Sequence, residues 1–200
     1  MDRAKESIRK ILLWQRNQIP QQEREEKSRL IGERLIQTSE FSTALSVMIY
    51  VSFRSEVITK EIITHSLNIN KNVIVPVVDK EHHRLILSRI KSLDELAPAT
   101  YGIMEPKKLR IVQPDEVELF ILPAVAFDER GARLGYGGGY FDRLLGNSKI
   151  GQHQKLIGLA FELQMQRELP CESHDILVDM VITEEKVRFF GSRLDESLSS

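Results

Sequence analysis

The sequence has 200 residues, of which 42% are hydrophobic and 28% are charged, as in an ordinary globular protein. Its 28 basic and 29 acidic side chains give a formal net charge of -1, which argues against wholesale binding to nucleic acid or to an anionic membrane. The single cysteine, Cys171, excludes an intramolecular disulfide and a cysteine-based zinc site. No run approaches the ~20 apolar residues of a membrane span, and the first residues lack an apolar signal core. We therefore expect a cytoplasmic protein.

Helical periodicity opens the chain. Apolar residues recur at helical spacing over residues 2–17, Pro20 closes that segment, and a second helix is predicted over residues 21–37. A third helix is predicted over residues 56–67, with Ser55 as its cap.

Short apolar or alternating runs predict the strands. They cover residues 46–51, 72–78 (with an interruption near the end at Pro76), 84–90, 119–122, 155–161 and 176–182. The proline-containing stretch 93–114 is interpreted as a long surface connection. Because strands alternate with helices, we predict a single domain over residues 1–200 with a three-layer α/β/α fold and a mostly parallel central sheet.

The most informative segment is rich in glycine. Four of the chain's 11 glycines lie between Gly135 and Gly139, after a strand and before a helix predicted to start near Tyr140. Glycine permits positive φ, so successive backbone N–H groups can converge on an anion, and the following helix adds its positive end. Arg133 could pair with phosphate oxygens, and Asp142 could ligate Mg²⁺. The alternative is a flexible turn without a ligand. The loop matches neither a Walker A motif nor G-x-G-x-x-G.

These residues resemble a known signature. The pattern Gly131-x-Arg-Leu-Gly-x-Gly-Gly-Gly-Tyr-x-Asp-Arg143, preceded by Leu122-Pro and Ala126-Phe-Asp, is similar to that of the 5-formyltetrahydrofolate cyclo-ligase family. The family's N-terminal Lys-x-x-x-Arg element resembles residues 5–9, and its substrate-contacting turn falls at residues 52–56. Its C-terminal segment resembles Leu169-Pro, His174-Asp175 and Val178-Asp179. The resemblance implies an open sheet like that of sugar-phosphate isomerases and coenzyme A transferases.

The resemblance also implies roles for individual residues. ATP would contact Lys5, Glu6, Ser7, Ile8, Arg9, Arg133, Leu134, Gly135, Tyr136, Gly137, Gly138, Gly139, Tyr140 and Phe141, with Arg133, Lys5 and Arg9 acting in catalysis. The folate would contact Val51, Glu56, Tyr136, Gly137, Gly138, Gly139 and Tyr140. Asp142 and Asp175 would hold Mg²⁺, with Asp179 as the competing choice for the second ligand.

From the residues alone, other interpretations remain open. Lys5 and Arg9 could lie on a solvated helix face, and Glu56 could simply complement a helix dipole.

Many relatives carry a basic residue near Tyr136 or Gly138, so this loop has less positive charge than theirs.

The family's reaction is the ATP-driven closure of 5-formyltetrahydrofolate to 5,10-methenyltetrahydrofolate, with release of ADP and phosphate. ATP and the folate, possibly polyglutamylated, are therefore the expected partners, Mg²⁺ is the expected cofactor, and neither nucleic acid nor membrane is expected. The competing functions are those of a sugar-phosphate isomerase or coenzyme A transferase, and of a non-catalytic folate- or nucleotide-binding regulator.

Overall fold

The computed structural model describes residues 2–147, 154–171 and 175–190. Three helices precede its first strand, a fourth lies between the first two strands, and a fifth follows the ninth strand. They are α1 (Asp2–Asn17), α2 (Gln21–Ile36), α3 (Ser39–Thr43), α4 (Lys60–Asn68) and α5 (Tyr140–Asn147).

The strands are short, and the longest are β2 (Asn72–Asp79) and β3 (Arg84–Ile90). The others are β1 (Ser46–Ile49), β4 (Leu96–Pro98), β5 (Met104–Pro106), β6 (Ile111–Val112), β7 (Leu119–Leu122), β8 (Ala126–Asp128), β9 (Arg133–Leu134), β10 (Lys155–Leu159), β11 (Met165–Gln166), β12 (Met180–Ile182) and β13 (Val187–Phe189).

An eight-stranded sheet in the order β13-β12-β10-β7-β1-β2-β3-β6 forms the centre of the described structure. Its inner pairs, from β12 through β2, are parallel, and the pairs toward both edges are antiparallel. Because β1 pairs with β2 on one side and with β7 on the other, the carboxyl ends of all three strands meet at one edge of the sheet. Ligands bind at such edges in open α/β sheets.

Helices cover both faces of this sheet. Val47 and Ile49 of β1 pack in one apolar cluster with residues of α2, α3 and α4, whereas Met48, between them, packs in a second cluster with Leu144 and Leu145 of α5. Such alternation is expected because successive side chains of a strand point to opposite faces. Each large side chain buried in these clusters stabilises the fold by about 1.5–3 kcal/mol relative to its exposure. The predicted three-layer α/β/α fold with a mostly parallel sheet is confirmed.

Helix α1 packs outside these layers, against the small sheet β11-β8-β9. Leu12 is buried there beside Val125, Ala126 and Leu134 in a third apolar cluster. This packing holds the amino-terminal helix beside the strand that leads into the glycine-rich segment.

The third helix begins later than the sequence suggests. Strand β1 ends at Ile49, residues 50–59 form a loop, and α4 starts at Lys60, so the predicted helix start at Glu56 is wrong. Ser55 does not cap a helix: its hydroxyl accepts a hydrogen bond from Arg16 and donates one to Asn17. These contacts with α1 hold the segment in a loop, and they are not visible in local sequence.

Other element boundaries in the structure also differ from the predicted ones. The stretch 93–114 is not a simple connection, because it contains the β4–β5 hairpin and the edge strand β6. Its Glu105 carboxylate accepts a hydrogen bond from the backbone N–H of Val78, which fastens the hairpin to β2. Strand β2 continues through Pro76 without a break. Strands β10 and β12 are shorter than the predicted 155–161 and 176–182.

The close approach of β10 to β8 predicts a stability effect. A Cβ added at Gly158 would lie 2.3 Å from Cζ of Phe127, whose side chain is fully buried. We expect Gly158→Ala to lower the free energy of unfolding by about 1–3 kcal/mol, since neither strand nor ring can move freely. Urea denaturation measures this.

The matched control is Gly146→Ala on α5, where an added Cβ meets no described atom within 4 Å. It should raise the free energy of unfolding by up to about 1 kcal/mol, because alanine favours the helix. A Gly158→Ala protein as stable as the unaltered chain would contradict this description of the packing.

Candidate active site

A cavity of about 370 Å³ opens where β1, β2 and β7 end. One wall is the loop after β1 (residues 50–59, the β1 loop), and another is the segment 135–139 (the glycine loop). Its lining is mainly apolar and aromatic, and the charged side chains that reach it are Arg54, Glu56, Arg133 and Asp142. A largely apolar cavity with a few convergent polar groups is typical of a small-molecule site.

The glycine loop runs from the end of β9 to the start of α5. Gly137 and Gly139 have φ angles of 97° and 64°, a region that residues with a Cβ rarely adopt. The loop is held from outside by α1, because Arg9 Nε donates a 2.8 Å hydrogen bond to the carbonyl oxygen of Gly135. The amino-terminal helix therefore lies against this loop.

Arg133 is a buried cation at the base of the cavity. Its side chain is 3% exposed and forms an ion pair with Asp142, whose side chain is 45% exposed. Burial lowers the pKa of Arg133, while the negative charges of Asp142 and Asp175 act in the opposite direction. The buried Nε of Arg133 finds no acceptor within the described part of the chain. Arg133 thus keeps a donor for which no protein partner is described.

A second ion pair lies beside the first. Lys5 Nζ of α1 is 3.2 Å from Asp175 Oδ2, and both side chains are largely buried. Asp179 is placed differently, because its Oδ2 accepts a 2.7 Å hydrogen bond from the backbone N–H of Leu156 in β10. Of the two aspartates, Asp175 is the one that lies near the cations of the site.

A chain of hydrogen bonds joins α1, the glycine loop and the β1 loop. Arg16 Nη2 donates to the Tyr136 hydroxyl at 2.7 Å, and that hydroxyl donates to Glu56 Oε1 at 2.6 Å. Glu56 Oε2 accepts from the backbone N–H of Phe53 at 2.8 Å. The Arg16 guanidinium also lies 5.5 Å from the centre of the Tyr136 ring.

Burial raises the pKa of the Glu56 carboxyl, and the hydrogen bonds from Tyr136 and Phe53, together with the charge of Arg16, oppose that rise. Burial also raises the pKa of Tyr136, and the negative charge of Glu56 adds to the effect. A carboxylate in this environment offers strong acceptor oxygens to a ligand, since little water competes for them.

Most of the residues predicted for the site line this one cavity. They are Val51, Glu56, Arg133, Gly135, Tyr136, Gly138, Gly139, Tyr140, Phe141 and Asp142. Lys5, Arg9 and Asp175 lie beside it through the contacts above.

Four other predicted residues have side chains placed elsewhere. Glu6 and Ser7 are exposed on α1, where the Ser7 hydroxyl donates to the carbonyl of Arg3. The side chains of Ile8 and Leu134 pack in the third apolar cluster.

Arg16 is a site residue that the sequence analysis did not single out. It is only 2% exposed, and three of its nitrogens donate hydrogen bonds. A signal was present, because Arg16 follows Arg9 by seven residues and two helical turns place both on one face of α1. The composition of the helix did not distinguish it, because Arg16 is one of five basic residues of α1 and two of them, Arg3 and Lys10, are exposed.

Among the described residues, no group of three or more His, Cys, Asp or Glu side chains is arranged to hold a metal ion. Asp142 and Asp175, the two carboxylates near the cations, number fewer than the three ligands of such a group. No helix in the described residues is long and apolar enough to cross a membrane.

Known proteins resemble this chain over most of its length. The model of the 5-formyltetrahydrofolate cyclo-ligase family matches residues 1–184. The 5-formyltetrahydrofolate cyclo-ligase of Haemophilus influenzae is 37% identical over 145 residues, covering 70% of this chain and 76% of the relative. That of Escherichia coli K12 is 32% identical over 182 residues, covering 88% and 98%.

The solved structures agree with the sequence relatives. The NMR structure of Aquifex aeolicus 5,10-methenyltetrahydrofolate synthetase superposes with a TM-score of 0.83 at 33% identity and covers 96% of each chain. The family match covers both walls of the cavity as well as the amino-terminal helix. The chain is therefore an enzyme that belongs to the 5-formyltetrahydrofolate cyclo-ligase family.

Proposed function

We propose that this enzyme uses Mg²⁺ and ATP to convert 5-formyltetrahydrofolate to 5,10-methenyltetrahydrofolate, with release of ADP and phosphate. The observation that carries the proposal is that the glycine loop and Glu56 line one cavity, with cations from α1 beside them. A phosphate-binding turn and a buried carboxylate are thereby close enough for two ligands to meet.

The folate binds, in this proposal, along the β1 loop. A pterin ring offers adjacent N–H donors, which a carboxylate can accept in pairs, and Glu56 is the buried carboxylate of this wall. Val51 and the rings of Phe53, Tyr140 and Phe141 supply flat apolar contacts. Tyr136 borders the same space.

The triphosphate of ATP lies against the glycine loop. Lys5, Arg9 and Arg133 are the nearby cations, and two of them are paired with aspartates in the structure described here. Phosphate oxygens are also strong partners for such cations, so the triphosphate can replace the aspartates at Lys5 and Arg133. The Arg133 Nε without a described acceptor fits this anion.

The same exchange frees carboxylate oxygens for a metal. We assign Asp142 and Asp175 to Mg²⁺, which prefers a few carboxylate oxygens together with water and phosphate. Asp179 is less suited, because its carboxylate is engaged with the backbone of β10. When bound, Mg²⁺ would neutralise charge on the phosphates.

The chemical problem is the formyl oxygen, which belongs to an amide and would otherwise leave as hydroxide. In the proposed reaction this oxygen attacks the γ-phosphorus, and the bond to the ADP oxygen breaks. N10 of the folate then attacks the formyl carbon, the C–O bond breaks, phosphate departs, and N10 loses its proton. Charge neutralisation by Lys5, Arg9 and Arg133 and the alignment of two substrates suffice, so no side-chain nucleophile is required.

The direct test of this function mixes the purified enzyme with 5-formyltetrahydrofolate and follows the absorbance band of the methenyl product. We expect a rise only when both Mg²⁺ and ATP are present, with equal amounts of ADP and product. Folate binding without any ATP-dependent rise would contradict the proposal.

The expected cytoplasmic location stays a prediction.

Replacing the first proposed metal ligand tests the magnesium assignment. We expect Asp142→Asn to abolish ATP-dependent turnover, because a neutral amide is a poor ligand for Mg²⁺. The control Asp115→Asn lies in an exposed turn before β7 and should retain full activity. Turnover near the level of the unaltered enzyme in Asp142→Asn would remove the assignment.

The cations of α1 are tested separately. Lys5→Ala and Arg9→Ala should each raise the KM for ATP by about 10- to 100-fold, as expected for losing one charge-assisted hydrogen bond to phosphate. Lys10→Ala, on the exposed face of the same helix, is the matched control and should leave the KM unchanged. KM values equal to that of the unaltered enzyme in Lys5→Ala and Arg9→Ala would contradict the proposed contacts of these cations with ATP.

The pterin contact is tested at Glu56. The Glu56→Gln variant keeps the shape of the side chain but removes its charge and one acceptor, so the Kd for 5-formyltetrahydrofolate should rise more than tenfold. The Kd for Mg·ADP should change less than twofold. Equal losses for the two ligands, measured by titration calorimetry, would count against this role.

A further inference from the structure

We propose that Tyr136 and Arg16 are positioning residues for the Glu56 carboxylate, so that folate recognition depends on a chain of hydrogen bonds that begins in α1. The inference rests on the proposed function, in which Glu56 accepts the N–H donors of the pterin. A tyrosine of the glycine loop thus acts through Glu56, and the buried Arg16 orients that tyrosine.

The hydrogen-bond geometry fixes how Glu56 is presented. An ionised carboxylate has about four acceptor sites, two on each oxygen. Tyr136 occupies one site on Oε1, and the backbone N–H of Phe53 occupies one on Oε2. One site therefore remains on each oxygen, and this is the arrangement that two adjacent N–H donors require.

Arg16 determines the direction of the Tyr136 hydroxyl. A guanidinium can only donate, so the Tyr136 oxygen must accept from Arg16, and its single proton is left for Glu56. Arg16 is itself fixed, since it also donates to the Ser55 hydroxyl and to the carbonyl of Ala124. The hydrogen bonds of the chain Arg16–Tyr136–Glu56 thus all point in one direction, and this direction favours an ionised Glu56 that accepts hydrogen bonds.

The titratable and charged groups that interact with Glu56 come from three parts of the fold. Arg16 belongs to α1, Tyr136 to the glycine loop, and Tyr50 follows β1 with its hydroxyl bound to the carbonyl of Val57. Because the hydrogen bond from Tyr136 lowers the pKa of Glu56, its loss raises that pKa further. As the pH falls, Glu56 then takes up a proton earlier, and a protonated carboxyl cannot accept both pterin donors.

The test measures the Kd for 5-formyltetrahydrofolate, without nucleotide, from pH 5 to pH 8. Tyr136→Phe removes the hydroxyl and keeps the ring. Its Kd at neutral pH should rise about tenfold, as for a lost hydrogen bond to a charged group. The pH below which affinity falls should move upward relative to the unaltered enzyme.

A double-mutant cycle separates action through Glu56 from direct contact with the ligand. In the Glu56→Gln background, Tyr136→Phe should change the Kd less than twofold. Arg16→Lys keeps the charge but loses the forked geometry of the guanidinium. It should raise the Kd for the folate, and raise the pH below which the affinity falls, as Tyr136→Phe does. Thermal unfolding shows which variants are folded. If Arg16→Lys does not fold, the result for Tyr136→Phe alone decides the test.

The outcomes are distinct. If Glu56→Gln weakens folate binding while Tyr136→Phe changes neither the affinity nor the pH below which the affinity falls, the positioning role is overturned and the proposed function stands. Equal losses from Tyr136→Phe in both backgrounds would overturn it as well, since Tyr136 would then contact the ligand directly. A Glu56→Gln variant with unchanged folate affinity would overturn the pterin contact and this inference together.

Discussion

The parallel pairing of β1 with β7 is the constraint on which the site depends. It brings the β1 loop and the segment after β7 to one edge of the sheet, although they are separated by about seventy residues of chain. From β7 the chain passes through β8 and β9 into the glycine loop, which therefore faces Glu56. Helix α1 then contacts both loops, through Arg9 at Gly135 and through Arg16 at Ser55 and Tyr136. The two loops thereby line one cavity, and α1 holds both of them in place.

Charge pairing is the second principle of the site. Lys5 and Arg133 face aspartates, so charges that would be costly to bury alone are compensated without a ligand. Such pairs suit the proposed binding of a highly charged triphosphate together with a metal ion, because both sets of partners could be exchanged at once. The Arg16–Tyr136–Glu56 chain differs, since it contains no exchangeable ion pair and leaves one acceptor site on each oxygen of Glu56, a residue that lines the cavity.

Much of the fold could be predicted from sequence. Strand and helix periodicity gave the layer order, and glycine spacing located the loop at 135–139, because both are local patterns. The start of α4 could not be predicted, since Ser55 and Glu56 are held by Arg16, Phe53 and Tyr136 rather than by a helix. The β4–β5 hairpin was missed for a similar reason: it is fastened to β2 through Glu105. Arg16 was missed because its burial arises only when α1 meets the two loops. These features depend on contacts between segments far apart in the chain.

The central claim is that the cavity brings the γ-phosphate of ATP to the formyl oxygen of the folate. Oxygen-isotope transfer tests it most directly: 5-formyltetrahydrofolate labelled with ¹⁸O in the formyl group is converted by the enzyme with unlabelled Mg·ATP, and the released phosphate is analysed by mass spectrometry. The account predicts one ¹⁸O atom in each phosphate molecule. Unlabelled phosphate, with the isotope recovered in water, would contradict it.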